Sequence, residues 1–226
     1  VNISGNATVN AEGGANGAGI GGGGNGGNAE NIIIRGHSNV TATSCDGAAI
    51  GGGRGAANEP GGSAAGIQIY GHATVNASTS GNGAAIGAAD GNRYAEAEVT
   101  IGTEGATAAT EDVRITAIGH YGSAIGNGAK DTKVTIQGHA TVQTASSQSP
   151  IAIGSYYGNV EVNIKDNASI DTATGAGASG IGGGDFFSHP EKSVVVTING
   201  GENGKIEIGK NLSLIHISEP TRLALI

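Results

Sequence analysis

The residues of this chain whose types and placement suit chemistry are few, and most of them are aromatic. Tyr94, Tyr121, Tyr156, Tyr157, Phe186 and Phe187 all fall beside one recurring motif, Gly/Ser-Ala-x-Ile-Gly or a close variant, centred on Ile20, Ile50, Ile86, Ile125, Ile153 and Ile181. Flat aromatic faces with hydrogen-bonding neighbours, here Asp185, Asn159 and Arg93, are what sugar rings bind. A glycan site on the loops around that motif, projecting from one edge of the molecule, is the sharpest chemical expectation. The plainer alternative is that the rings fold back and cover that edge.

His37, His72 and His139 occupy equivalent places just after a recurring Gly, with Asn6 and Asn167 in that place elsewhere. On strands stacked ~4.8 Å apart, His37 and His72 would lie one above the other. A polar turn ladder is expected here and not a metal site. No carboxylate or thiol accompanies the pair at ligand spacing, and a divergent fourth repeat interrupts the series. The carboxylates Asp46, Glu59, Asp90, Glu111, Asp131, Glu161, Asp166 and Asp185 fall in different loops without repeated pairing, whereas glycoside hydrolysis normally places two across a cleft. No Gly-x-Ser-x-Gly elbow sits between a strand and a helix, and the glycine runs precede no helix that would cradle phosphate. Neither catalysis nor a cofactor is expected; a divergent polysaccharide lyase or hydrolase is the enzymatic alternative.

Positioning these residues falls to three motifs that recur in fixed order. The first reads apolar-x-Ile and begins at Val1, Ile32, Ile67, Val99, Val134, Val162 and Val196, with spacings of 31, 35, 32, 35, 28 and 34 residues. Self-similarity at such a period marks a stacked-repeat architecture. The second motif alternates polar with apolar residues, as in Ala73-Thr74-Val75-Asn76-Ala77. In the fourth repeat its equivalent is Val113-Arg114-Ile115-Thr116-Ala117, displaced by a polar insertion from Glu104 to Asp112. The Ile-Gly motif is the third. Period-two alternation of β-branched residues reads as half-buried strand, and the Gly, Asn and Ser clusters between motifs supply turns.

One repeat has too little apolar surface to close a core, so repeats must cover one another. The predicted fold is all-β: a parallel β-helix, right-handed, with three strands per coil and six to seven coils. Val, Ile and Ala would point inward and Thr, Asn, Gln and Ser outward. A calcium-binding β-roll is the competitor, but its signature needs Asp after Gly-Gly-x-Gly. The run Gly21-Gly22-Gly23-Gly24-Asn25-Gly26-Gly27-Asn28 holds no carboxylate. The outward array on the second strand suggests a lattice for ice, yet Arg114 and Asp171 break it.

Composition agrees. Glycine makes up 44 of 226 residues, but regularly placed Val and Ile provide the buried surface that a disordered linker lacks. With 11 basic against 19 acidic residues and a formal charge of -8, the chain has no basic stripe for nucleic acid. An acidic surface would also be repelled from anionic membranes, and no membrane insertion is expected. A single cysteine, Cys45, excludes an intrachain disulfide framework. A rod of this kind argues for display, spacing or adhesion ahead of turnover.

The segment Gly47-Ala48-Ala49-Ile50-Gly51-Gly52-Gly53, interleaved with segments such as Ile67 to Ala77, resembles the repeat regions of large surface proteins of gut-dwelling Gram-positive bacteria. More loosely it resembles pectin-lyase-like β-helices. The resemblance covers about residues 1 to 200. It implies a structural stalk or adhesin-type module, extracellular or on the cell surface, with a host or bacterial polysaccharide or surface glycoprotein as partner. Residues 212–226 carry another resemblance: Leu212 to Arg222 looks like the translation of a transposon-type sequencing adapter, in keeping with a metagenomic fragment. The expected organisation is one solenoid domain, 1–211, truncated at both ends, then an adapter-derived tail, 212–226. Exposed solenoid ends would favour self-association.

Overall fold

Each sequence repeat becomes one coil of a parallel β-helix. The computed structural model describes residues 1–56, 59–89, 94–127, 129–146, 151–174, 180–183, 192–200 and 205–208; the predicted tail 212–226 and the residues Asp185, Phe186, Phe187 and Arg93 lie outside them. The first coil holds β1 (Asn2–Ile3), β2 (Thr8–Glu12) and β3 (Ile20–Gly21), and a short β4 (Ala29–Glu30) leads into the second. The second holds β5 (Ile33–Ile34), β6 (Asn39–Ser44) and β7 (Ile50–Gly51), and the third β8 (Ala64–Ile69), β9 (Thr74–Thr79) and β10 (Ile86–Gly87). In the fourth come β11 (Glu96–Ile101), β12 (Val113–Gly119) and β13 (Ile125–Gly126), then β14 (Asp131–Ile136), β15 (Ala140–Ser146) and β16 (Ile153–Ser155) in the fifth. Finally β17 (Asn159–Asp166), β18 (Ser169–Thr174) and β19 (Ile181–Gly183) form the sixth, and β20 (Val194–Gly200) with β21 (Lys205–Ile208) the seventh. Among the described residues there is no helix.

Corresponding strands of successive coils pair in parallel, so the three motifs generate three sheets. The first runs β1-β5-β8-β11-β14-β17-β20 with β4 beside β8, the second β2-β6-β9-β12-β15-β18-β21, and the third β19-β16-β13-β10-β7-β3. Register is set by like residues. Ile34, Ile69, Ile101, Ile136 and Ile164 form one inward column, Val40, Val75, Ile115, Val142 and Ile170 a second, and Ile50, Ile86, Ile125, Ile153 and Ile181 a third. All of these side chains are buried in one continuous core. Each fully buried Val or Ile contributes roughly 1.5–3 kcal/mol, so stability accumulates coil by coil.

The third sheet is the narrow side. Ala48, Ala49, Ala84 and Ala85 are fully buried there, and the glycine after each central Ile stacks on the next coil's glycine. Gly51 has φ 141°, and a Cβ placed on it would stand 1.8 Å from the Gly87 carbonyl oxygen, so only glycine fits. Buried hydroxyls finish the corner leading into this sheet. Ser44 Oγ donates to the Gly17 carbonyl at 2.8 Å, and Thr79 Oγ1 to that of Gly83 at 2.9 Å.

The fourth coil keeps register despite its insertion. Arg114 pairs with Thr74 on one side and Thr141 on the other, as the displaced motif predicts. The extra residues loop out, and Glu111 at their end turns inward: it is buried, accepting the Gly71 N–H at 3.1 Å and the Thr103 N–H at 2.9 Å.

Candidate functional site

The outward face of the first sheet carries the strongest assembly of functional groups. The alternation of the first motif extends three residues further toward the N-terminus than apolar-x-Ile alone. Glu96-Ala97-Glu98, Asp131-Thr132-Lys133 and Asn159-Val160-Glu161 each precede a Val-x-Ile in full register. Ala97, Thr132 and Val160 turn inward. Two outward rows result, Glu96, Asp131 and Asn159 in one and Glu98, Lys133 and Glu161 in the other, with ~4.8 Å between coils. They line a shallow groove of about 540 Å³ that continues to Ser193 and Val195.

Hydrogen bonds hold these rows in order. Asn159 Nδ2 donates to Asp131 Oδ1 at 2.7 Å, Asn163 Nδ2 to Glu161 Oε1 at 2.7 Å, and the Ser193 N–H to Asn159 Oδ1 at 3.1 Å. The Glu96 N–H meets Ser63 Oγ at 3.0 Å, and the Lys130 ammonium pairs with the Glu96 carboxylate. That hydrogen bond, helped by the charges of Glu96 and Asp131, raises the Lys130 pKa above its ordinary value.

The expectation that the carboxylates are scattered needs correction at this face. Asp131 and Glu161 stand on adjacent strands of one sheet, and Glu96 and Glu98, unmarked by the sequence reading, join them. A signal was present: a polar or charged residue five and three positions before the Ile of the first motif, in three successive repeats.

The structure divides Tyr94, Tyr121, Tyr156 and Tyr157 between two corners. Tyr94, 69 % exposed, lies two residues before Glu96, and Tyr157, 51 % exposed, two residues before Asn159; both stand where the chain enters the first sheet beside the groove. Ala129 holds the same offset in the coil between them, so the two tyrosine positions are about 10 Å apart along the axis. Tyr156 meets Tyr157 edge to face with centroids 4.8 Å apart. Tyr121, 57 % exposed, packs edge-on to His120 at 4.3 Å, but between β12 and β13, at the corner joining the second sheet to the third. It therefore does not share an edge with the others. Phe186, Phe187 and Asp185 fall outside the described residues.

The third corner, between the first and second sheets, carries the histidines. His37 and His72 stack with ring centroids 4.7 Å apart and planes 14° from parallel. The fourth repeat does not interrupt the ladder, contrary to expectation. The Asp112 N–H donates to the Gly71 carbonyl at 2.9 Å just as the His72 N–H donates to that of Gly36 at 2.8 Å. The next pairs in the ladder, Val113 with Ala140 and Arg114 with Thr74, set Asp112 between His72 and His139. Its carboxylate accepts Arg114 Nη2 at 2.8 Å and Nε at 3.1 Å, a contact whose hydrogen bond and charge together raise the Arg114 pKa. Among the described residues, no three His, Cys, Asp or Glu side chains converge on a single point.

Fold and columns together define a β-solenoid built of β-helix repeats. Residues 1–24 and 32–54 match the family described as Beta helix repeat. Neither a curated protein nor a solved structure matches the chain.

Proposed function

We propose that this chain is a rigid structural module, a stalk or adhesin-type segment of a secreted or surface-anchored bacterial protein, with no catalytic role. The observation that carries this reading is the continuous parallel pairing of first-sheet and second-sheet strands, coil on coil, through seven coils, insertion included. Seven coils at ~4.8 Å make a stiff element of about 30 Å between first and last. Long unbroken pairing resists bending, which suits spacing and display. Hydrogen exchange should protect the paired strands of all the coils together; a coil that opens independently of its neighbours would rule the reading out.

A second reading is favoured by one observation, the flanking of a single groove by exposed tyrosines two coils apart. An extended polysaccharide laid along the axis would meet one coil per sugar or nearly so, stacking on Tyr94 and Tyr157 while Asp131, Asn159 and Glu161 take its hydroxyl groups. The partner would be a host or bacterial polysaccharide or the glycan of a surface glycoprotein. A glycan array probed with the chain and with its Tyr156→Ala/Tyr157→Ala variant tests this. Selective binding lost in the variant supports an adhesin that holds sugar in the groove. Silence across the array leaves a spacer without this ligand, and release of shortened oligosaccharides would move the groove to the polysaccharide lyases or hydrolases.

A further inference from the structure

Coils four to six repeat a pattern beside the groove that binding a plain sugar does not require. Tyr94 stands four residues before Glu98, and Tyr157 four residues before Glu161; in the coil between, the same two positions hold Ala129 and Lys133. The strand register places Glu98, Lys133 and Glu161 in one outward row at ~4.8 Å per coil. Coils four and six are therefore matching subsites, each a tyrosine face with a carboxylate, about 10 Å apart along the axis. The intervening coil inverts both features, with a methyl group for the ring and an ammonium for the carboxylate.

Charge decides what such subsites hold. Glu96, Glu98, Asp131 and Glu161 line the groove together with Lys133. Lys130 answers Glu96 from the rim, and Asn159 holds Asp131. Among the described residues the Glu98 side chain has no hydrogen bond or ion pair, so its carboxylate is open to a ligand. A uronate or sulfated chain would be repelled, and a neutral one laid over Glu98 would take water from a charge and return nothing. A protonated amine returns a charge-assisted hydrogen bond and, against the tyrosine face, a cation–π contact.

We propose that the groove selects a polysaccharide in which every second sugar carries a free amine, with amines at Glu98 and Glu161 and an amine-free sugar between them over Ala129 and Lys133. This rests on the reading of the groove as a glycan site and narrows it: Glu161 takes an amine in place of a hydroxyl, while Asp131 and Asn159 keep their hydroxyl partners. Lys133 turns away an amine on the middle sugar by repulsion of like charge. Glucosamine-based hexasaccharides are the probes, titrated into the full chain by calorimetry: one alternating free amine with N-acetyl group, one with every amine free and one fully N-acetylated.

The alternating hexamer should bind at least about tenfold tighter than the acetylated one, as a charge-assisted hydrogen bond at each subsite implies, and the advantage should shrink as salt rises. It should also bind tighter than the all-amine hexamer, and Lys133→Gln should erase that second difference. Glu98→Gln with Glu161→Gln should remove the preference for amines and leave the affinity for the acetylated hexamer unchanged, whereas Tyr94→Ala with Tyr157→Ala should weaken all three. These side chains are exposed, so their substitution spares the core, and circular dichroism checks that each variant is folded. Equal affinity for the three hexamers, or tightest binding of the all-amine one, with loss in the tyrosine variant, would overturn the inference and keep the glycan site. A preference that survives in the folded double-glutamine variant would also overturn it, and hexalysine binding as tightly as the alternating hexamer would do so in favour of a basic peptide. No binding of any hexamer would remove the glycan site and the inference together.

Discussion

The buried Glu111 carboxylate, 1 % exposed, holds Thr103 twice, accepting its N–H at 2.9 Å and its hydroxyl at 3.0 Å. A third hydrogen bond, from the Gly71 N–H, ties the same side chain to the preceding coil. One residue thereby closes the insertion and restores the register that Asp112 and Val113 then follow. Three donors satisfy a carboxylate that burial would otherwise destabilise.

Removing that carboxylate takes away the acceptor of three hydrogen bonds, from Gly71 and Thr103. Glu111→Ala is expected to lower stability by about 1–3 kcal/mol, as loss of hydrogen bonds to a charged group does. Urea unfolding would show the shift, and hydrogen exchange should quicken first at Gly71 and Thr103. An unchanged midpoint would mean that the loop closes without Glu111.

Glycine at the third sheet is predicted to tolerate no side chain. Gly51→Ala directs a Cβ to within 1.8 Å of the Gly87 carbonyl oxygen, while Gly14→Ala meets nothing within 4 Å. The first variant should fail to give soluble folded chain and the second should behave as the parent. Equal yields of both, with matching circular dichroism, would show that coils separate more readily than their spacing implies.

The isoleucine column sets a graded expectation. Ile86 is fully buried between Ile50 and Ile125. Ile86→Ala should cost about 2–5 kcal/mol and Ile86→Val about 0.5–1.5 kcal/mol, since the narrow core collapses only partly around a void. Chemical denaturation of the two variants measures both; similar losses would point to strain instead of lost packing.

Alkaline pH should reach the rim of the groove through Lys130. Its hydrogen bond to Glu96, then the charges of Glu96 and Asp131, raise its pKa above 10.5. The folded value exceeds the unfolded one, so this contribution to stability is complete below 10.5 and is lost as pH rises through the raised value. Glu96→Gln should return the Lys130 titration toward 10.5, followed by nuclear magnetic resonance of its side chain. A titration that does not move would show that the pair is open in solution.

Much of the fold was legible because alternation is a local property. Thr74, Val75 and Asn76 face out, in and out whatever lies above them, and glycine-rich spacers mark the corners. The groove was harder to see. Glu96, Asp131 and Asn159 are 35 and 28 residues apart, and they become a row only because their strands begin five residues before the motif's Ile. The histidine ladder was half legible: the stacking of His37 on His72 follows from equal offsets, but the place of Asp112 was hidden by an insertion that shifts its offset. Tyr121 looked like a companion of Tyr157 because both adjoin an Ile-Gly motif, yet one precedes that strand and the other follows it.

The sequence by itself determined the alternating strands, the repeat and the inward columns, because side-chain direction in a strand depends only on position along it. Tertiary structure alone decided which distant residues become neighbours. Hydrogen bonds between parallel strands lock coil to coil, while corners absorb unequal repeat lengths, so Asp112 reaches the ladder and Tyr121 is turned away from the groove.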